Sequence, residues 1–234
     1  NYSIINRSCT GSDGNAYNTM QEVLWGTARS NNQCLSNGDQ IAQPGDTIYL
    51  RGGTYQEIYV NSNSESVGGC NSAAAMAISH NLNGAAGAWT TISSYPEEWA
   101  IIDGQGERFG FGWGCNTTGC GVNTNNHLKY IKFERLEITG AVTGGLAFAG
   151  GPVIVRYCYI HENGFPSISS TNAAGIYSYV PISSVIEYNF FKNNGGVDHG
   201  ANRNHIEMYS DYYYSSNNGG YNWSASNRGN EIRY

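Results

Sequence analysis

The chain has 234 residues, 13% of them charged, and a formal net charge of −6. No basic run occurs that could neutralise a row of phosphates, so we expect no nucleic-acid partner. No stretch approaches the roughly 18 apolar residues that cross a membrane, so we expect no membrane span.

Residues 1–40 are expected to form a cap. Ser12 and Asp13 precede the segment 19–25, whose apolar residues are spaced for one face of a helix. A short amphipathic helix here would cover the first coil of the fold, because an open β-edge needs a cover. The chain begins with Asn1 rather than Met, which indicates a processed mature end or a trimmed chain.

Residues 41–234 are expected to form the coils of a β-solenoid. Pro44 and Gly45 begin a turn into a strand, and a Gly52–Gly53 corner separates that strand from the next. The other elements expected along the chain are strands at 89–95 and 100–103 and lateral loops at about 61–88 and 210–230.

A repeated phrase is the basis of the solenoid prediction. Segment 155–164 aligns without a gap on 186–195, at an offset of 31 residues. Segment 133–138 fits the same frame at an offset of 22, and 232–234 begins it again at an offset of 46. A second phrase recurs at spacings of 30 residues, beginning at Leu146, Ile176 and Ile206. Two short strands per period, stacked like on like, are typical of a solenoid.

The turns of this repeat are expected to be built from Gly and Asn, which adopt positive φ at low cost. The Asn-Gly pairs at 163–164 and 194–195 therefore predict a corner rather than a site, although His161 and Glu162 precede the first pair. Asn189 stands one period after Cys158, which predicts an Asn hydrogen-bonded along the stack.

Six cysteines without a CxxC motif predict disulfides and an oxidising compartment. We consider Cys115 with Cys120 and Cys9 with Cys34, which leaves Cys70 and Cys158, although other connectivities are possible. Zinc is disfavoured because no Cys/His cluster has ligand spacing. Asn-X-Ser/Thr sites permit glycosylation at Asn1, Asn6, Asn116 and Asn222.

The segments 45–55, 90–106, 128–141 and 153–164 resemble the opening half of secreted right-handed parallel β-helix proteins. The resemblance is to the broad pectate-lyase-like superfamily, which includes pectate, alginate and chondroitin lyases, and it covers residues 15 to 210. It implies an all-β fold, a right-handed parallel β-helix, and an extracellular protein directed at polysaccharide.

Lyases of this kind abstract a proton beside a uronate carboxylate, often with Ca²⁺ on that carboxylate. The best candidate stretch, residues 198–211, holds two His, one Arg and three carboxylates but no Lys. Arg203 and His205 are the candidate base or carboxylate clamp. The candidate ligands for Ca²⁺ or substrate are Asp198, Glu207 and Asp211. The alternative is a polar turn and an exposed strand face without catalytic function.

Strand alternation supports this placement. If Ile206 and Met208 point into the core, Glu207 lies on the surface beside Tyr177 of the coil below. The 210–230 loop is rich in aromatic residues, which either stack on sugar rings or pack the loop itself. The candidate sugar-binding residues are Tyr177, Tyr212, Tyr213, Tyr214, Tyr221 and Trp223.

Two functions remain open. The first is a secreted protein directed at extracellular polysaccharide, as a calcium-assisted lyase of an acidic glycan. The second is a structural or adhesive solenoid that forms filaments by end-to-end stacking. Tyr234 stands three residues into a repeat, so an open C-terminal coil would offer an edge for self-association.

Overall fold

We describe a computed structural model of the chain. The structure describes residues 2–3, 8–9, 17, 23, 41–56, 74–78, 82–106, 109–113, 127–141, 144–164, 172–179, 181–195, 202–209 and 230–233. Within these ranges the elements are strands, numbered here in chain order: β1 Tyr2–Ser3, β2 Ser8–Cys9, β3 Thr47–Leu50, β4 Gly53–Tyr55, β5 Ala74–Ile78, β6 Thr90–Ser94, β7 Ala100–Asp103, β8 Phe109–Trp113, β9 Ile131–Glu134, β10 Leu136–Thr139, β11 Gly144–Ala149, β12 Val153–Arg156, β13 Tyr159–His161, β14 Asn172–Tyr179, β15 Val185–Glu187, β16 Phe190–Lys192, β17 Asn202–Tyr209 and β18 Glu231–Arg233.

Three parallel sheets make up the body of the fold. The first sheet has the order β3-β6-β9-β12-β15-β18, the second β4-β7-β10-β13-β16, and the third β5-β8-β11-β14-β17. Each strand therefore pairs with the strand three places later, and one coil passes through the three sheets in turn. We number the coils 1 to 5 from β3–β5 to β15–β17. This is an all-β parallel solenoid, with β1 and β2 as a separate antiparallel pair.

The register confirms the repeat found in the sequence. In the first sheet Val155 pairs with Phe133 below it and with Ile186 above it, as the offsets of 22 and 31 require. In the third sheet Leu146 pairs with Ile176, which pairs with Ile206. The structure differs from the prediction in having three strands per coil. The first phrase contains two of them, and the second phrase is the third.

The core is a stack of like residues inside the coils. Alternate positions of the first sheet bury Ile92, Phe133 and Val155 completely, and those of the second sheet bury Ile138 and Ile160. Each such side chain contributes about 1.5–3 kcal/mol on burial. Because strand side chains alternate, the residues between them face outward.

The corner between the first and second sheets differs from the expectation. In coils 3, 4 and 5 the positive-φ residue at this corner is Arg135, Tyr157 and Tyr188 in turn, rather than Gly or Asn, with φ near 50°, whereas coil 1 has the expected glycine, Gly53, at φ 130°. An ordinary side chain in this conformation costs about 1–2 kcal/mol. The rings of Tyr157 and Tyr188 stack in parallel, with centroids 5.4 Å apart, which offsets part of that cost.

Two boundary predictions are affected by the structure. The lateral loop expected at about 61–88 contains β5, which is the coil 1 strand of the third sheet, so that expectation is wrong for these residues. The loop expected at about 210–230 lies outside the described residues apart from Asn230, which precedes β18. The predicted capping helix also lies outside them, except for Val23, whose carbonyl accepts hydrogen bonds from the Ile41 and Ala42 amides. In the described part of the chain, no helix is long and apolar enough to cross a membrane.

Candidate functional site

Strand β17 carries three of the predicted site residues. Arg203, His205 and Glu207 lie two residues apart along it, and Glu207 pairs in register with Tyr177 of β14. Ile206 and Met208 pack against the core, so the premise from which the sequence places Glu207 on the outer face is confirmed.

The position of His205 breaks the repeat. In coils 3 and 4 the same register position is Gly145 and Gly175. A Cβ on Gly145 would lie 2.7 Å from Nδ2 of Asn163, and one on Gly175 would lie 3.0 Å from Nδ2 of Asn194. Glycine is therefore required in these coils, because an Asn of the next coil fills the space.

The Asn side chains are held by hydrogen bonds from one coil to the next. The two N–H groups of Asn163 Nδ2 serve three acceptors, one of them shared: the carbonyls of Ile138 and His161, at 3.0 Å each, and Oδ1 of Asn194 at 2.9 Å. The Ala141 amide donates to Oδ1 of Asn163. These hydrogen bonds fix the corner between the second and third sheets. Asn163 lies at this corner in coil 4, and Asn194 lies at it in coil 5, where the chain leads into β17.

His205 is exposed and lies at the end of this row. Its Nδ1 is 3.3 Å from Nδ2 of Asn194, and its ring centroid is 5.7 Å from that of Phe191. Within the described part of the chain, Nε2 has no hydrogen-bond partner. The imidazole is thus anchored on one side and accessible on the other, which suits contact with a ligand.

Tyr177 does not have the exposure expected of a sugar-binding ring. It is 6% exposed, and Ala147 below it in the same column is also buried. The outer face of the third sheet is therefore covered at these two positions, and Tyr177 contributes to packing there.

The other predicted site residues lie outside the described residues. They are Asp198 and Asp211 among the metal candidates and Tyr212, Tyr213, Tyr214, Tyr221 and Trp223 among the sugar-binding candidates. For Arg203 and Glu207 the structure gives the strand position only. The glycosylation candidates Asn1, Asn6, Asn116 and Asn222 also lie outside the described residues.

A second polar cluster, which the sequence analysis did not propose, lies on the outer face of the second sheet. Nε2 of His161 is 3.0 Å from Oε1 of Glu137, and Nδ1 is 3.4 Å from Oε2 of Glu162 and 3.5 Å from Oγ1 of Thr139. The imidazole stacks on Tyr159, with centroids 4.0 Å apart. Its side chain is only 11% exposed, whereas that of Glu137 is 24% exposed. An imidazole held on several sides in this way links two coils, and of its two carboxylate partners Glu162, at 56% exposed, is more accessible than Glu137.

The sequence contained a signal for this cluster. The offset of 22 residues pairs Glu137 with Tyr159 and Thr139 with His161, and alternation then puts both pairs on the outer face. The Asn-Gly pair that follows His161 recurs one coil later, and for that reason the sequence predicted a corner here rather than a site. The corner is present beside the cluster.

The outer face of the first sheet carries a row of alternating charge. Glu134, Arg156, Glu187 and Arg233 occupy one register column through successive coils. Arg156 forms ion pairs with Glu134 and Glu187, and Arg233 forms one with Glu187. These charges are mutually compensated, so this face offers little net attraction for a charged polymer.

Two further predictions concern cysteines and metals. Cys158 is a free, buried cysteine, and its expected pairing with Cys70 is absent from the structure. Burial raises the pKa of the Cys158 thiol to about 12. The predicted hydrogen bond of Asn189 is confirmed, since its Oδ1 accepts from the Cys158 amide at 2.9 Å. Among the described residues no group of three His, Cys, Asp or Glu could hold a metal ion.

Comparison with known proteins gives no relative. No protein-family model, curated protein or solved structure matches the chain. The resemblance to the pectate-lyase-like superfamily therefore stays a prediction.

Proposed function

We propose that this chain is a secreted, extracellular protein directed at an acidic polysaccharide, with its ligand-contacting site on β17. The observation that supports this most is the exposed imidazole of His205 at a position that is glycine in coils 3 and 4. In a repeat protein, a side chain that departs from the repeat without serving the core is a candidate for function. Arg203, two residues away, is the cation that an acidic glycan would require.

The proposal includes the finer features that the resemblance implies. The coils wind right-handed, as parallel crossovers almost always do, and a helix at 19–25 covers coil 1. Eliminative cleavage beside a uronate carboxylate is the proposed reaction, with Arg203 or His205 as the candidate base or carboxylate clamp. Asp198, Glu207 and Asp211 are proposed to bind Ca²⁺, and no role in the cleavage step is assigned to that ion.

A panel of acidic and neutral polysaccharides tests the proposal. Binding is measured by affinity electrophoresis and cleavage by the absorbance of unsaturated uronate products, each with calcium and with a chelator. We expect binding of an acidic glycan that Glu207→Gln weakens. Glu231→Gln is the matched control, because Glu231 is an exposed strand glutamate on the first sheet.

The results separate the parts of the proposal. Failure of every acidic glycan to bind would contradict the function itself. Equal binding by wild type, Glu207→Gln and Glu231→Gln would remove Glu207 from the site. Binding without cleavage would support a polysaccharide-binding protein and contradict the lyase reaction. The filament alternative stays a prediction, which electron microscopy of the purified protein tests.

A further inference from the structure

The hydrogen bonds of Asn194 determine which way its amide points. Its Oδ1 accepts from the backbone amide of Asn163 at 3.2 Å and from Nδ2 of Asn163 at 2.9 Å. Its Nδ2 donates to the carbonyl of Ile160 at 2.8 Å. If the Asn194 amide were flipped, its Nδ2 would face the two N–H donors of Asn163, and its Oδ1 would face the carbonyl oxygen of Ile160. All three contacts would then be lost, so only one orientation is compatible with the network.

The fixed amide in turn determines the state of the imidazole beside it. Nδ2 of Asn194 is a donor only, and it lies 3.3 Å from Nδ1 of His205. Nδ1 must therefore be the unprotonated, accepting nitrogen for this hydrogen bond to form. In a neutral imidazole the proton then resides on Nε2, which is the nitrogen on the accessible side of the ring.

We infer that Asn194 holds neutral His205 with its proton on Nε2, so that His205 donates a hydrogen bond to a carboxylate oxygen of the glycan and is not a base. This inference rests on the proposed function for the identity of the ligand. The tautomer of His205 is a property of the free protein and does not depend on the proposed function. Asn194 is a positioning residue in this arrangement, and His205 is the residue that contacts the ligand.

The contact with Asn194 also disfavours His205 as a base that accepts a proton on Nε2. To accept a proton on Nε2, His205 would have to carry its proton on Nδ1, and that N–H would face an N–H of Asn194. Of the two roles that the sequence leaves open for His205, base and carboxylate clamp, the geometry favours the clamp. The base of the proposed elimination is then left to Arg203 or to a residue outside the described ranges.

The tautomer can be measured on the full-length protein without any ligand. Long-range ¹⁵N–¹H spectra of protein labelled with ¹⁵N-histidine distinguish a protonated Nε2 from a protonated Nδ1. We expect the His205 signals of the neutral ring to show protonated Nε2 and unprotonated Nδ1. A protonated Nδ1 in the wild type would overturn the inference.

A variant tests whether Asn194 is the cause. Asn194→Asp keeps the shape but replaces the donor beside Nδ1 by an acceptor, so we expect the proton to move to Nδ1 or the ring to become doubly protonated. Asn193→Asp is the matched control, because Asn193 is the exposed neighbour and should leave the His205 spectrum unchanged. An unchanged spectrum in Asn194→Asp would remove Asn194 from this role. If that variant does not fold, the wild-type spectrum still decides the tautomer.

The ligand contact has its own test, so that the two claims can fail separately. Gln offers an N–H at a reach similar to that of Nε2, whereas Phe fills the space without a donor. We expect His205→Phe to weaken acidic-glycan binding about tenfold more than His205→Gln, the loss of roughly one hydrogen bond to a charged group. Reducing the glycan carboxylates to alcohols should abolish that difference. Equal losses in the two variants would contradict the clamp, whatever the tautomer proves to be.

Discussion

Arg156 bonds Glu134 of the coil below it, with 2.6 Å between the guanidinium Nε and the carboxylate Oε1. The contact is repeated upward, because Arg156 also pairs with Glu187, which pairs with Arg233. Residues at one register position of a solenoid are neighbours at strand spacing, so charges in such a column either alternate or repel. The sign alternation of this column therefore helps to fix which coil lies on which.

Arg156→Met removes the cation between two carboxylates. We expect the unfolding free energy to fall by about 1 kcal/mol, because the group is partly exposed and the pairs are weakened by solvent. The measurement is urea unfolding at low salt. Arg233→Met is the control and should cost less, since Glu187 keeps its ion pair with Arg156 when Arg233 is removed. If added salt does not reduce the difference between the two variants, the effect is not electrostatic.

Acid should destabilise the protein in part through Glu98. Nε of Arg51 donates to both oxygens of Glu98, at 3.0 and 2.9 Å, and the Gly52 amide donates to Oε2. The hydrogen bonds from Arg51, with a smaller contribution from Gly52, hold the pKa of the Glu98 carboxyl below its ordinary value of 4.5. A carboxyl whose pKa is lower in the folded state stabilises it above pH 4.5, and this stabilisation disappears as the pH falls through the folded pKa.

The test compares Glu98→Gln with wild type by denaturant unfolding at neutral pH and below pH 4.5. We expect the variant to be less stable at neutral pH and to lose less stability on acidification. Glu97→Gln is the control, since Glu97 is an exposed neighbour. Parallel pH profiles for wild type and Glu98→Gln would show that this ion pair does not contribute.

Gly145→Ala tests the packing of the Asn corner. The added Cβ would lie 2.7 Å from Nδ2 of Asn163 and 2.7 Å from the Gly175 carbonyl oxygen, and neither has room to move without losing a hydrogen bond. We expect a loss of about 1–3 kcal/mol in thermal or urea unfolding. Gly52→Ala is the control, because a Cβ there meets nothing closer than 3.4 Å. A neutral Gly145→Ala would mean that the corner accommodates a side chain.

The Cys158 thiol should resist alkylation in the folded protein. It is buried in the core, and that burial raises its pKa to about 12, so little of the reactive thiolate is present near neutral pH. Mass spectrometry of the peptide that contains Cys158 follows labelling by iodoacetamide with and without denaturant. Labelling only after unfolding is the expected result. Rapid labelling of the native protein would contradict the buried, free thiol.

The repeat made the stacking predictable but not the shape of each coil. The offsets of 22 and 31 residues identify which residues pair, because like residues stack on like in the core, and Val155 on Phe133 is an instance. Strand β5 was missed because it lies in a stretch rich in Ser, Asn and Ala, and Ile78 is the one β-branched residue among its five. The positive-φ corner at Tyr157 was missed for a related reason, since the stacking between coils that offsets part of its backbone cost is not visible in the local sequence.

The candidate site shows the same division. The composition of residues 198–211 pointed to β17, and the premise that Ile206 and Met208 point into the core is met. The contact between Asn194 and His205 could not be predicted, because it depends on how the corner turns between sheets. Local sequence specifies which residues begin and end that corner, whereas the three-dimensional path of the coil decides which side chains meet.

The most direct test of the account is a ligand titration of ¹⁵N-labelled full-length protein with an acidic oligosaccharide, followed by backbone amide shifts. The account predicts changes concentrated on Arg203, His205 and Glu207 of β17 and on the neighbouring Asn194, with the first-sheet strand β18 unaffected. Shifts confined to the first sheet would place the ligand elsewhere. An unchanged spectrum with every acidic oligosaccharide would contradict the proposed function.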